Sequence, residues 1–340
     1  MVRGKIKVLV VDDSIVFREA IIRGIRQDSQ IEVVAGAEDP FAARDKIIEF
    51  EPDVMICDVE MPKMNGIEFI RRLLPQYPLP VIVISGRSNA VFEAMDAGAV
   101  DFIAKPEEKT SSAMQLFFLE LVTKIKMAAA AKVVGQRGIS GAGIPADMEF
   151  PLGKVIAMGA STGGTEALYQ ILKQLPAGIP GIVITQHIPP VFSGMFARRL
   201  DAQTSLEVKE AESGDVIRKG RVLLAPGDRH MRIRRAKEGY ITEVFEAEKV
   251  NGHCPSIDVL FDSVAREAGK NAVGIILTGM GYDGARGLLS MRRKGAGTIG
   301  QDEKTSVVYG MPKVAYDTGA VERQAALEAI PRVLADMLLE

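Results

Sequence analysis

Between residues 6 and 105, short apolar runs rich in β-branched residues alternate with amphipathic stretches, and that rhythm leaves few folds open. The runs cover residues 6–11, 32–35, 54–57, 81–84 and 100–103. Each is too short for a helix and apolar enough to be buried on both faces. The stretches between them, such as 17–26, 40–49 and 67–74, carry apolar residues at helical spacing. Strand, crossover helix and strand in repetition predict a five-stranded parallel sheet. Such a sheet gathers its functional groups at the carboxyl ends of its strands.

The residues at those ends are acidic. The first run stops at Asp12-Asp13 and the third at Asp58. Brought together, three carboxylates need a cation, and oxygen-only ligands favour Mg²⁺. The fourth run ends at Ser85 and the fifth at Lys105-Pro106. A hydroxyl and an ammonium group there can hydrogen-bond the oxygens of an acyl phosphate. Pro106 stops its strand, and a cis bond before it would aim Lys105 inward. A helix cap would explain a single aspartate after a strand, but not this set. Together the groups read as a phosphoryl acceptor, so the chain listens to a kinase.

The chain has 340 residues, enough for two domains with their own cores. A net charge of −2 offers no electrostatic case for nucleic acid. No apolar run approaches the roughly 18 residues of a membrane span. The N-terminus enters a strand almost at once, so no signal peptide is expected. Cys57 and Cys254 fall in different halves, which fits free thiols in a reducing cytosol.

Residues 110–127 carry one more helical pattern. The texture then changes: residues 128–150 are rich in glycine and small residues without periodicity, and read as a flexible linker. A second α/β pattern follows, which predicts a doubly wound sheet. A strand at 155–158 ends in Gly159-Ala160-Ser161-Thr162-Gly163-Gly164, with a helix over 165–175. A strand at 181–185 ends in Gln186-His187. A strand at 272–277 leads to Thr278-Gly279-Met280-Gly281-Tyr282-Asp283-Gly284.

Gly159–Gly163 fits G-x-S-x-G at a strand-to-helix turn, which exposes a serine hydroxyl beside free helix N–H groups. The stretch alone reads equally well as a phosphate-binding turn. A serine nucleophile needs a base. Of the three histidines, His187 directly follows a buried strand, and Asp283 follows another. Ser161, His187 and Asp283 thus supply nucleophile, base and orienter. Their order differs from the Ser, acid, His order of α/β-hydrolases, so a separate fold with the same logic is expected. His230 reads as a loop residue. His253 is a candidate second-shell or substrate contact, and Ser256 a candidate helix cap. The histidines lack the tight spacing of a metal site.

Two resemblances sharpen this reading. Residues 5–127 resemble a response-regulator receiver (flavodoxin-like) domain, on Asp12-Asp13, Asp58, Met61–Gly66, Ser85 and Lys105-Pro106. Only 20 residues separate Ser85 from Lys105, which trims the loop at 86–90. Residues 151–340 resemble the chemotaxis protein-glutamate methylesterase catalytic domain. The motifs are Gly159–Gly164, Gln186–Pro189, Ala225-Pro226-Gly227, Pro255–Asp258, Leu277–Gly284 and Gln301–Ser306. Cys254 stands where that family commonly has arginine.

The resemblance implies domains at 1–127 and 151–340 joined by the linker at 128–150. It implies Mg²⁺ at Asp12, Asp13 and Asp58, a phosphoacceptor at Asp58 and switch residues at Ser85 and Lys105. It implies a triad of Ser161, His187 and Asp283, oxyanion N–H groups near Met280 and Ser161, with Thr162 beside the nucleophile, and no cofactor for the esterase step. The implied partners are methyl-accepting chemoreceptors as substrate and a chemotaxis histidine kinase as phosphodonor. No nucleic acid and no membrane insertion are expected, and the location is cytoplasmic. The unphosphorylated receiver is expected to cover the catalytic cleft. Two rival readings remain testable. A nucleotide-binding module lacks the lysine a P-loop needs after its glycines. A DNA-binding regulator lacks the basic charge.

Overall fold

The five runs of the first half become strands β1 (Ile6–Val11), β2 (Ile31–Ala37), β3 (Val54–Asp58), β4 (Val81–Ser85) and β5 (Asp101–Ala104). The computed structural model describes residues 4–62, 64–86, 88–106, 108, 110–131, 144–145 and 148–340. All five strands pair in parallel in the order β2-β1-β3-β4-β5. The chain winds outward in both directions from between β1 and β3, which opens a crevice at their carboxyl ends. Every residue of β3 and β4 is buried, as strands covered on both faces must be.

Helices α1 (Ile15–Ile25), α2 (Pro40–Phe50), α3 (Gly66–Leu73), α4 (Ser88–Asp96) and α5 (Ser111–Ala129) connect and flank these strands. Their starts are written in the sequence. Ser14, Asp39, Asn65 and Thr110 each accept a backbone N–H of the first turn, and Pro40 follows Asp39. Such a cap contributes about 1 kcal/mol. Of the stretch read as a linker, residues 132–143 and 146–147 lie outside the described residues, as does residue 87 of the loop at 86–90.

The chain divides into two compact units. The second begins with β6 (Val155–Ala160), α6 (Gly164–Leu172), β7 (Gly181–Gln186), α7 (Pro190–Gln203), β8 (Glu207–Glu210), β9 (Val216–Ile217) and β10 (Arg221–Leu224). It continues with β11 (His230–Arg235), β12 (Tyr240–Phe245), α8 (Ile257–Glu267), β13 (Ala272–Ile276) and α9 (Ala285–Arg293). It closes with β14 (Gly297–Gln301), α10 (Met311–Asp317), β15 (Arg323–Ala325) and α11 (Ile330–Leu339). Seven strands pair in parallel in the order β15-β14-β13-β6-β7-β10-β8. Ala160 lies beside Gln186 and Gly159 beside Ile276, so β6, β7 and β13 end at one level.

An antiparallel sheet, β11-β12-β9, is built from β11 and β12, between β10 and α8 in the chain, and from β9, just ahead of β10, where the doubly wound reading foresaw no strands. Alternation makes it: Met231, Ile233, Tyr240 and Thr242 point inward while Arg234 is exposed. This places His230 differently from its expected loop. It opens β11, fully buried, with Nε2 donating to the Glu248 carbonyl at 3.0 Å and Nδ1 accepting from Ser256 N–H at 3.2 Å. Both ring nitrogens are spent on backbone, so its role is structural. Ile257, Leu260, Phe261 and Val264 of α8 join Met231, Ile233 and Leu288 in the core, each burial contributing about 1.5–3 kcal/mol. Among the described residues no helix is long and apolar enough to cross a membrane.

Candidate active site and acidic site

Ser161 follows β6 at a turn that only glycine can complete. Gly163 caps α6 with φ of 76°, and a Cβ there would lie 2.7 Å from Val307. The turn is pinned from below. Ser161 N–H donates to the Thr278 carbonyl at 3.0 Å, and Thr278 Oγ1 donates to the Thr162 carbonyl at 3.0 Å. Gln186 Nε2 donates to the Ser161 carbonyl at 2.9 Å, and Gln301 Oε1 accepts Thr278 N–H at 2.8 Å.

The three residues named from the sequence meet. His187 Nδ1 lies 3.2 Å from Ser161 Oγ, and His187 Nε2 lies 2.9 Å from Asp283 Oδ2. Asp283 also accepts from Asn251 Nδ2 at 2.8 Å, Ser256 Oγ at 2.8 Å and Ile257 N–H at 2.7 Å. Burial opposes its charge, but these donors, His187 foremost, hold its carboxyl well below the usual range. An ionised carboxylate can only accept, so Nε2 carries the imidazole proton. Nδ1 then offers its lone pair to the serine hydroxyl. The template triad uses the opposite ring edges, Nε2 toward serine and Nδ1 toward aspartate.

Several expectations shift here. Ser256 begins α8 but makes no side-chain cap; its hydroxyl serves Asp283 instead. Asp283 in turn accepts from the first turn of α8, so it caps a helix distant in sequence while orienting His187. Ser161 N–H is committed to Thr278 and is not an oxyanion donor. Among the described residues no acceptor takes the Met280 N–H. Met280 follows Gly279, which is packed so tightly that a Cβ would lie 2.6 Å from Ser161 Cβ. Thr162 is buried beside the nucleophile. The His253 ring lies parallel to that of His187, with centroids 3.7 Å apart and an 8° interplanar angle. Burial, then the neighbouring His187, pushes the His253 pKa down to about 4, which keeps the ring neutral near pH 7. Thr278, Gln186, Gln301 and Asn251 carry the support and were not assigned roles from sequence, and Ser256 carries it in place of its expected cap. The bonds that tie them to Ser161, Thr278 and Asp283 span 23–32 residues, and the Thr278–Thr162 pair 116, so short-range periodicity does not reveal them.

In the first unit, Asp12, Asp13 and Asp58 present carboxylate oxygens within 4.8 Å of one another. Lys105 Nζ donates to Asp58 Oδ2 at 2.6 Å and lies 3.5 Å from Asp12 Oδ2. Among the described residues the cis peptide bond is Cys254–Pro255, so Lys105 reaches in without a cis bond before Pro106. Ser85 is fully buried at the end of β4. Burial raises Asp58, and burial together with Asp58 pushes Asp12 up to about 6 against the pull of Lys105. Asp12 Oδ2 is buried with no hydrogen-bond partner. An orphaned oxygen among three clustered carboxylates suits a hard divalent cation.

Serine, imidazole and carboxylate stand in hydrogen-bonded series on one parallel sheet, behind an acidic five-stranded unit, and that combination defines a hydrolase with a receiver ahead of it, apart from the α/β-hydrolases in its chain order. Residues 156–334 match the CheB methylesterase family, and residues 8–114 match the response regulator receiver domain. The protein-glutamate methylesterase/protein-glutamine glutaminase 2 of Syntrophomonas wolfei is 55% identical over 97% of this chain and 97% of its own. A protein-glutamate methylesterase/protein-glutamine glutaminase of Syntrophotalea carbinolica is 44% identical over 99% of this chain and 98% of its own. The crystal structure of the Thermotoga maritima CheB methylesterase catalytic domain, at 35% identity, aligns over 55% of this chain and 100% of that one, with a TM-score of 0.53. The chain belongs to the CheB methylesterase family and carries a receiver domain ahead of the catalytic one.

Proposed function

We propose that this enzyme hydrolyses glutamate γ-methyl esters of chemoreceptors, and deamidates glutamines there, under the control of phosphorylation at Asp58. The observation that carries the reading is the continuous series Ser161–His187–Asp283 at one level of the sheet. His187 Nδ1 takes the Ser161 proton as Oγ attacks the ester carbonyl. The tetrahedral oxyanion is held by backbone N–H, with Met280, next to the Gly279 that packs against Ser161, as the donor. Such a donor contributes about 3 kcal/mol to the transition state. His187 returns its proton to the leaving oxygen and methanol departs, leaving an acyl-serine. Water, deprotonated by His187, then attacks the acyl carbon; His187 passes that proton to Ser161 Oγ as the acyl–oxygen bond breaks, leaving a glutamate side chain on the receptor. With a glutamine side chain the leaving group is ammonia. Asp283 remains ionised throughout and stabilises the imidazolium. No cofactor enters these steps.

Control belongs to the receiver at 1–127, joined through 128–150 to the catalytic residues 151–340. Asp58 accepts a phosphoryl group from a chemotaxis histidine kinase, Lys105 and Ser85 bind its oxygens, and the receiver's inhibition is relieved. Asp12, Asp13 and Asp58 would hold Mg²⁺, whose charge neutralises the phosphoryl oxygens when bound. The whole cycle runs in the cytoplasm, with no nucleic-acid partner and no membrane insertion. A methylesterase assay on methylated receptor tests the core: Ser161→Ala retaining wild-type activity would remove the triad.

A further inference from the structure

Asn251 lies outside the three residues of the triad, yet the site converges on it. It sits in a tight turn closed by two backbone hydrogen bonds, Val250 N–H to His253 O and His253 N–H to Val250 O, both 3.0 Å. Asn251 and Gly252 have φ of 54° and 82°, the paired left-handed conformations that asparagine and glycine favour in such turns. The Asn251 amide nitrogen donates at 2.8 Å to Asp283 Oδ1 and at 2.8 Å to Asp258 Oδ2. Asp258 is itself 2% exposed and accepts Gly287 N–H at 2.7 Å. The last residue of the turn, His253, is the ring stacked on His187.

One side chain therefore meets the base from two directions. Through Asp283 it acts on the Nε2 edge of His187. Through the turn it acts on the ring's face. Two buried carboxylates, Asp258 and Asp283, would repel each other across the space the NH₂ group fills; its two hydrogens satisfy both. The stacked His253 bars the rotation that would carry His187 Nδ1 away from Ser161, since a neighbouring ring at 3.7 Å leaves no room for the edge to swing through.

We infer that Asn251 is a positioning residue for the esterase reaction, bridging Asp258 to Asp283 while its turn clamps His253 flat against the base. The inference rests on the triad reading above. It assigns Asn251 no contact with substrate. The effect must therefore fall on kcat and not on KM.

The test uses the full-length chain. Asn251→Gly removes the amide and keeps the left-handed turn, which glycine adopts at no cost. Its kcat on methylated receptor should fall about tenfold or more, the expected loss of a hydrogen bond to a charged group, with KM within about twofold. His253→Ala should lower kcat in the same way, again with KM within about twofold. A wild-type kcat for Asn251→Gly, or a change confined to KM, overturns the inference. If Asn251→Gly fails to fold by circular dichroism, Asn251→Asp decides. It keeps the shape but points an acceptor at two carboxylates, and a wild-type kcat would again overturn the inference. Ser161→Ala assayed alongside separates the two levels. If it stays active, the triad reading fails; if it is inactive while both Asn251 variants match wild type, only the role of Asn251 fails.

Discussion

The two units place carboxylates at the same kind of location, the carboxyl ends of central parallel strands, and treat them in opposite ways. Asp283 is saturated: His187, Asn251, Ser256 and Ile257 all donate to it, and it stays ionised although buried. Asp12 and Asp58 are undersupplied. They share Lys105, Asp12 keeps an oxygen with no hydrogen-bond partner, and burial raises both. A saturated carboxylate is a permanent fixture that orients something else. An undersupplied pair suits a positive charge brought to it. The carboxyl ends of central strands thus hold a fully donated carboxylate in one unit and undersupplied carboxylates in the other, and the difference lies in the number of donors.

That contrast can be broken most sharply at the catalyst. Ser161→Ala should lower receptor methylesterase activity by about 10⁴-fold or more, and Asp283→Asn by about 10⁴-fold through loss of the proton-bearing edge of His187. Labelling by a serine-directed phosphonate should fall in parallel. A modest loss in Asp283→Asn would mean that its many donors serve the fold and not the base.

The switch should show smaller effects of a different kind. Asp58→Asn should abolish stimulation by a small-molecule phosphodonor, on the order of tenfold for a bias of a few kcal/mol, with basal Ser161-dependent activity kept. Chelating Mg²⁺ should do the same to wild type. A drop in basal rate in either case would tie the acidic site to the chemistry itself.

The smallest effect sharpens the comparison through its sign. Asp12 has a pKa of about 6 in the folded chain and an ordinary value of 3.8. Its folded pKa is raised, so its charge costs stability above about 6, and the cost is relieved as pH falls toward 3.8. His253 has a folded pKa of about 4 and an ordinary value of 6.5. Its neutral form is the one that fits, so stability is full above 6.5 and is lost as pH falls toward 4. Without Mg²⁺, acidification from pH 6 to 4.5 should stabilise the receiver and destabilise the catalytic domain, by a few kcal/mol at most. Calorimetry with Asp12→Asn and His253→Phe checks this, because each should flatten one transition and leave the other. Parallel shifts in both transitions would deny the contrast.

Much of this was legible from residue order. The strand runs of the receiver and the residues Asp12, Asp58, Lys105, Ser161, His187 and Asp283 follow from periodicity and from what stands at a strand's end. The sheet β11-β12-β9 was not legible. Its alternation is short and interrupted by arginines, and it gains its meaning from α8, against which β11 packs through Ile233 N–H and Ser263 Oγ. His230 was misplaced for the same reason: the carbonyl and N–H that consume its two nitrogens come from residues 18 and 26 positions away.

Sequence alone determined that three aspartates stand at the carboxyl ends of two strands of the first unit and that a serine, a histidine and an aspartate follow buried strands of the second. Those facts depend on side-chain period and strand length, which are local. Only the tertiary structure decided which edge of His187 faces Ser161, that Ser161 N–H is spent on Thr278, and that Asn251 and Ser256 complete Asp283. Donor allocation is a competition among groups that meet only when the chain is folded, and no local pattern records its outcome.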